Sequence, residues 1–265
     1  MAYFRGALLA LGAAILIGSA SALSARADAA DMATKAPPQA TPAPSDVDSS
    51  VFWLNGDFKN DTAAGNAGGI YALNGNLGAP GWLVRGQFTY VGYDFNTTAT
   101  PSGTAHGTFA DGSGAIGYQV IGNGLVASGF VGYDYQNYTI SPASAATTGV
   151  GDKSGAIFFG RVATAGSTQY PVEIDSTYST ANNSFWVRGR AGIKFGSLTL
   201  GPELAGLGNN VFDEVRAGGY ASYDVSRNFI IQAYAGYADA IRGENVAGGS
   251  GGSGAYGGVT LVFLH

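Results

Sequence analysis

The chain has 265 residues, no cysteine and a formal charge of -5. Only 12% of its residues are charged, against about 25% in an ordinary soluble domain. The acidic balance argues against a nucleic-acid partner, and no apolar run beyond the N-terminus approaches the roughly 20 residues of a membrane helix. With 46% hydrophobic residues, 43 glycines and 15 tyrosines, the composition suits a sheet that is apolar on one face.

Arg5 and the terminal amine precede an apolar run from Ala7 to Ile17, and Ala25-Arg26-Ala27 fits the small-x-small cleavage pattern. Residues 1–27 therefore read as a secretory signal peptide, with Ala22 and Ala25 as other cleavage ends. Residues 28–50 are rich in Ala, Pro, Ser and Asp, including Pro37, Pro38, Pro42 and Pro44. This composition cannot bury a core, and it predicts a disordered, extended periplasmic linker. Residues 51–265 carry the folded domain.

Twelve segments in that domain alternate with period two. They run over about 51–59, 67–75, 82–95, 108–120, 125–137, 154–164, 171–179, 184–195, 198–206, 213–223, 229–239 and 255–264. The connections Asn76–Gly81, Ile121–Gly124, Gly196-Ser197 and Asp224–Asn228 read as tight turns. Asn96–Gly107, Thr139–Lys153 and Ala240–Gly254 read as long loops on the opposite side. Long loops at one end, short turns at the other and an even strand count predict an all-β protein, a transmembrane antiparallel up-and-down β-barrel of about 12 strands. Both termini then face the periplasm.

Aromatic spacing points the same way. Trp82 and Tyr90 share one face of the third segment, and Phe229 and Tyr237 share one face of the eleventh. Eight residues of tilted strand climb roughly 20 Å, close to the roughly 25 Å between the aromatic girdles of such barrels. The competing reading is a soluble β-sandwich, whose inner face would give the same alternation. The last strand ends on Phe263, Leu264 and His265 rather than on a terminal aromatic residue.

The most informative stretch is Ser184–Leu204. Phe185, Val187, Ala191, Ile193 and Phe195 fall on one face, and Trp186, Arg188, Arg190 and Lys194 on the other. The uncharged face is expected to meet lipid and the charged face the barrel interior. With Gly196-Ser197 as the turn, Phe195 opposes Leu198, Lys194 opposes Thr199 and Arg190 opposes Glu203. A register through the preceding loop sets Asp175 near Arg188 and Glu173 near Arg190. The expected result is a lumen-facing charge ladder of Glu173, Asp175, Arg188, Arg190 and Glu203, with Arg85, Lys194 and Arg216 as further lumen candidates. Such a ladder either fills and rigidifies the lumen, because enclosed charges need partners, or lines a pore and selects a polar or sugar-like solute.

Catalytic and metal-binding sets are not apparent. His106 lies near Ser102 and Thr104 in a long outer loop, and His265 is the last residue. A lipid hydrolase would require His beside Ser with an orienting acid, and no such set is visible. Asp213-Glu214 reads as a loop charge at a strand entrance. No cluster has metal-ligand spacing, the Gly248–Gly254 run does not sit between strand and helix as a phosphate loop would, and no cofactor is expected.

The segments IYALNGNLGAPGWLVRG (70–86), GYQVIGNGLVASGFVGYDYQNY (117–138), FWVRGRAGIKFGSLTLGPE (185–203) and GNNVFDEVRAGGY (208–220), with the closing GGSGGSGAYGGV (248–259), resemble the BcsS family of cellulose biosynthesis proteins. The resemblance covers nearly the whole mature chain. It implies an outer-membrane barrel in a Gram-negative bacterium, with an auxiliary role in making, exporting or anchoring cellulose. The implied partners are outer-membrane lipid, cellulose or a related glucan, and cellulose secretion proteins. Tyr133, Tyr135 and Tyr138, read as outer-loop aromatics, could stack on glucan rings. Two other functions compete with a non-enzymatic channel or scaffold: a general small-solute porin, and a lipid- or glycan-modifying barrel enzyme.

Overall fold

The computed structural model describes residues 47–98, 100–145, 150–242 and 252–265. The expected signal peptide and most of the expected linker lie outside these residues. Thirteen strand segments are found among the described residues: β1 (Ser50–Lys59), β2 (Thr62–Ala72), β3 (Gly81–Asn96), β4 (Thr104–Gly122), β5 (Leu125–Ser141), β6 (Gly151–Thr164), β7 (Val172–Ser179), β8 (Ser184–Ala191), β9 (Ile193–Phe195), β10 (Leu198–Gly208), β11 (Asp213–Ser226), β12 (Phe229–Arg242) and β13 (Gly254–Leu264). A single 3-10 turn, Ala143–Ala145, is the one helical element among them.

β8 and β9 are one strand in two pieces. Both pair with β10 in a single register, Arg190 opposite Glu203 and Phe195 opposite Leu198. In that register Pro202 faces Ala191 beside the break at Gly192. Proline has no N–H to donate, so the ladder lapses there. The segments therefore make twelve staves. Each pairs antiparallel with its neighbours, β10 pairs with β11, and β1 pairs with β13, which closes the sheet into a barrel.

Closure removes the free edges that an open sheet would expose. At the seam Val51 faces Leu264, and Ser49 N and Ser50 N both donate to the His265 carbonyl oxygen. Both ends of the domain thus lie at one rim, here termed the periplasmic rim.

The connections differ in detail from the pattern expected. β2 begins at Thr62, so the first outer connection is only Asn60 and Asp61, with Asn60 at φ 33°. On the periplasmic side β2 ends at Ala72, and the connection Leu73–Pro80 is a folded loop rather than a tight turn. Asn123-Gly124 and Gly196-Ser197 do make two-residue turns, with Asn123, Gly124 and Gly196 all at positive φ. Such turns match the twist of the strands they join.

The outer surface is apolar. Phe52, Leu54, Val84, Phe88, Ile116, Val131, Leu200 and Leu204 are all exposed. Trp82 and Tyr118 pack edge to face, centroids 5.4 Å apart, near the periplasmic rim. Tyr90, Tyr133 and Tyr237 are exposed toward the other end of their strands. In water such a surface would be a severe liability; in a bilayer it is the expected outer face.

Candidate functional site: the barrel interior

Strand alternation turns the complementary set of side chains inward, and two regions with different chemistry result. One is apolar. Ile70, Ala72, Leu83, Ala115, Phe130, Ile157 and Phe159 form a buried cluster on the β2–β6 wall, with Val51, Trp53 and Leu77 packed against it. Leu77 comes from the folded loop at the periplasmic rim. Gln119 Nε2 fastens that loop by donating to the carbonyls of Leu77 (2.7 Å) and Ala79 (3.1 Å).

Arg85 sits at the margin of this cluster. Its guanidinium lies 4.0 Å from the Phe159 ring centroid and 4.9 Å from that of Trp53, and it donates to Gln87 Oε1 at 2.9 Å. Among the described residues it forms no salt bridge, so two ring faces and one amide take the place of a carboxylate.

The other region is ionic and spans β6–β13 and β1. Arg190 and Glu203 are opposed across β8 and β10, and Arg190 Nε donates to Glu203 Oε2 at 2.5 Å. The pair is almost sealed from solvent, at 5% and 3% exposure. Arg190 also donates to Gln232 of β12 at 3.0 Å, and Tyr256 of β13 donates to Glu203 at 3.2 Å. The guanidinium lies over the rings of Tyr220 and Tyr234, 4.9 Å and 5.5 Å from their centroids.

Asp175 faces Arg188 across β7 and β8, and Arg188 donates to it at 3.0 Å. Glu173 faces Arg190 in register but does not bind it, because Glu203 has taken that cation. Glu173 instead accepts from Arg188 at 3.2 Å and from Arg161 of β6 at 2.7 Å. The ladder thus extends over β6, β7, β8 and β10, and Arg161 belongs to it. In register Arg161 faces Asp175 and reaches Glu173 diagonally; sequence reasoning missed it because that register depends on the irregular connection after Thr164. Lys194 donates to Asp224 of β11 at 2.7 Å.

A further set crosses the interior near the outer end. Lys59 of β1 donates to Glu214 of β11, and both side chains are buried. Arg216 binds Asp57 at 2.8 Å and Glu214 at 2.7 Å, and Tyr234 donates to Asn55 and Asp57. Glu214 is therefore an interior strand residue, not the loop charge expected, and Asp213 is bound by Arg242 at 2.8 Å. These links join strands separated by one or two others. Such contacts exist only because the sheet is curved and closed.

The outer end of the interior is capped by the β7–β8 connection. Asn182 is buried there; it accepts from Lys153 Nζ (2.8 Å) and Asn210 Nδ2 (3.2 Å) and donates to the Tyr138 hydroxyl (3.2 Å). Gly155 makes the space, since a Cβ there would sit 2.4 Å from Thr180 Oγ1.

Tyr133, Tyr135 and Tyr138 all lie on β5, not in an outer loop. Tyr133 and Tyr135 point outward from the barrel, and Tyr138 is buried beneath Asn182 beside Phe109. The extension of β5 to Ser141 takes in Tyr138, while Tyr133 and Tyr135 already fall within the fifth alternating segment, on its lipid face. His106 is likewise on β4, where its Nδ1 lies 2.9 Å from Asp94 Oδ1 in an exposed pair. Ser102 Oγ bonds the Thr104 carbonyl at 3.2 Å instead, so His106 and Asp94 stand without a nucleophile among the described contacts.

The profile of a single family, described as cellulose biosynthesis protein BcsS, matches residues 51–265, the whole of this barrel. The chain belongs to the BcsS family. A search of curated proteins finds no match. Among solved structures, the COG4313 outer membrane channel from Pseudomonas putida F1 superposes with a TM-score of 0.52 at 10% identity, covering 88% of this chain and 100% of that one. The transport unit of the autotransporter AIDA-I from Escherichia coli gives 0.52 at 11% identity, covering 85% and 93%. At such identities these likenesses speak for the fold alone, which is that of outer-membrane barrels. The interior of this BcsS chain holds both packed apolar side chains and bonded charged ones.

Proposed function

We propose that the protein is a non-enzymatic, side-chain-filled barrel of the Gram-negative outer membrane that serves cellulose biosynthesis as a scaffold for secretion of the polysaccharide. Family membership supports the cellulose context. The observation that carries the scaffold reading is the near-complete burial of Arg190, Glu203, Lys59 and Glu214 inside the barrel. A charged group lining a wide aqueous path would be wet. These groups are instead bonded to one another across neighbouring and more distant strands.

On this reading the polysaccharide does not pass through the barrel. The apolar outer surface holds the protein among lipids after signal-peptide cleavage, with residues 28–50 as a periplasmic tether toward secretion partners. The general-porin reading draws on a different observation, the partial exposure of Arg161, with a side-chain exposure of 44%, and of Glu173 beside it at 25%. Those groups could form a vestibule for a small polar solute.

Two measurements decide. Purified protein in planar bilayers should show no steady ion conductance, and a deletion strain should lose extracellular cellulose with an unchanged membrane lipid profile. Stable conductance open to small sugars would overturn the scaffold reading in favour of the porin. An altered lipid profile with normal cellulose would favour the enzyme.

A further inference from the structure

Near the outer girdle, between the apolar cluster and the Asn182 cap, lies a group of oxygens with no partner. Ser113 of β4 faces Asp134 of β5, and Asp111 faces Gln136. Residues two apart on a strand share a face, so Asp111, Ser113, Asp134 and Gln136 all project inward as one patch. Asp134 is fully buried and Asp111 is 7% exposed.

One oxygen of Asp134 is well served: Oδ2 accepts from Gln136 Nε2 at 2.7 Å and from the Ser179 hydroxyl. The other oxygens are not. Asp134 Oδ1, Asp111 Oδ1 and Ser113 Oγ are buried and receive no donor from a neighbouring side chain or backbone group; the two carboxyls are close enough to each other to share either a proton or a cation. Neither carboxylate has a salt-bridge partner among the described residues. Lys153, which faces Gln136 from the adjoining strand β6, gives its ammonium to Asn182 and the Tyr138 ring.

Every other buried carboxylate described above is matched to a cation: Glu203 to Arg190, Glu214 to Lys59, Asp57 to Arg216. Two enclosed carboxylates side by side without positive charge are strongly disfavoured. The Ser113 hydroxyl, opposite Asp134 on the same face, is a neutral group that likewise makes no hydrogen bond.

We propose that Asp111, Ser113 and Asp134 form a binding site for a hard divalent cation, calcium or magnesium, inside the barrel. The donor set is oxygen only, with no nitrogen or sulfur, and this selects hard cations over zinc or copper. One divalent ion neutralises both carboxylates, and the free Asp oxygens with the hydroxyl supply three ligands. Gln136 Oε1, which accepts only from the Tyr138 hydroxyl at 3.3 Å, is placed to supply a fourth directly or through water. The ion would tie β4 to β5 beneath the cap, where the barrel lacks the Arg–carboxylate bonds found on its other side.

The test uses the full barrel refolded in detergent free of lipopolysaccharide, so that no lipid-bound calcium is carried along. Calcium chloride, magnesium chloride or EDTA is added, and unfolding is followed by loss of heat-modifiable gel mobility. Terbium chloride gives a second readout, as luminescence sensitised by nearby Tyr138 and Tyr93. The expected result is a midpoint raised by about 5 °C at saturating calcium or magnesium over EDTA. The shift should be lost in Asp111→Asn, with terbium luminescence lost in parallel. Ser113→Ala, which keeps the fold without touching a charge, should weaken binding at least several-fold. An unshifted midpoint with no terbium signal would overturn the site. So would a signal that persists in Asp111→Asn and Asp134→Asn. Stabilisation of the wild type by acid alone, independent of metal, would assign the pair to a shared proton instead.

Discussion

The two walls of the barrel interior are built on opposite principles. On the β2–β6 wall, Leu83, Ile157, Phe159 and their neighbours exclude water by packing, and even Arg85 is housed against ring faces. On the wall that runs from β6 through β13 to β1, inward positions carry arginines, lysines and carboxylates that must find each other. Burial of apolar groups is non-directional and is eased by any close-packed arrangement. A buried ion pair is satisfied only by its own partner at bonding distance. The apolar wall therefore gives bulk and the ionic wall gives register. One face tolerates substitution by size, and the other does not tolerate the loss of either partner.

The largest effect is expected where a partner is removed from the ionic wall. Glu203→Ala leaves the Arg190 guanidinium buried among Tyr220, Tyr234 and Gln232, and should cost about 4 kcal/mol. Adding Arg190→Ala to that variant should cost little more, because the stranded charge is gone. Urea unfolding of the two single variants and the double variant in micelles measures this, and additive losses would contradict the pairing. Leu83→Ala on the apolar wall should cost about 3 kcal/mol through the cavity left behind. Leu83→Met, which keeps volume, should recover most of that loss. No such volume-matched rescue is expected for Glu203. If Glu203→Met proved as benign as Leu83→Met, the contrast between the walls would fail.

The same contrast explains what could be read from the sequence. The strands were legible because one side of each meets lipid, which imposes alternation. The opposition of Arg190 and Glu203 was legible because a two-residue turn at Gly196-Ser197 sets every pair in that hairpin. The links from Lys59 to Glu214 and from Tyr256 to Glu203 were not, since each joins strands three apart and depends on closure and curvature. The apolar wall was also hidden. Leu83, Ile157 and Phe159 are apolar residues at inward positions of β3 and β6, where alternation alone gives no reason to expect a packed apolar cluster. Glu214 was misread as a loop charge because its partner Lys59 lies at the far end of the chain.

The cap is the place where the two walls meet, and it offers an intermediate test. Gly155→Ala puts a methyl group 2.4 Å from Thr180 Oγ1 and 2.6 Å from Ala181 N. The β7–β8 connection must then lift, which takes Asn182 away from Lys153 and Tyr138. A loss of about 2 kcal/mol is expected, together with measurable ion leakage in planar bilayers if the cap helps to close the interior. A destabilised but still silent variant would locate the closure deeper, at Arg190 and Glu203. An unaffected variant would show that the cap does not depend on the missing side chain.

Arg161 supplies the smallest effect and the sharpest boundary of the comparison. It binds Glu173 at 2.7 Å, a shorter contact than that from Arg188 to the same carboxylate at 3.2 Å. Distance alone would rank it as the stronger partner. Yet its side chain is 44% exposed, whereas that of Arg188 is 19% exposed, and water competes for an open guanidinium while salt screens it. Arg161→Ala should therefore cost at most about 1 kcal/mol, and the loss should shrink further in high salt. Arg188→Ala should cost more and respond less to salt, because it deprives both Glu173 and Asp175 in a drier position. Urea midpoints at low and high sodium chloride separate the two. Equal losses for both variants would mean that the ionic wall is as dry at Arg161 as at its centre, which would remove the open vestibule on which the porin reading depends.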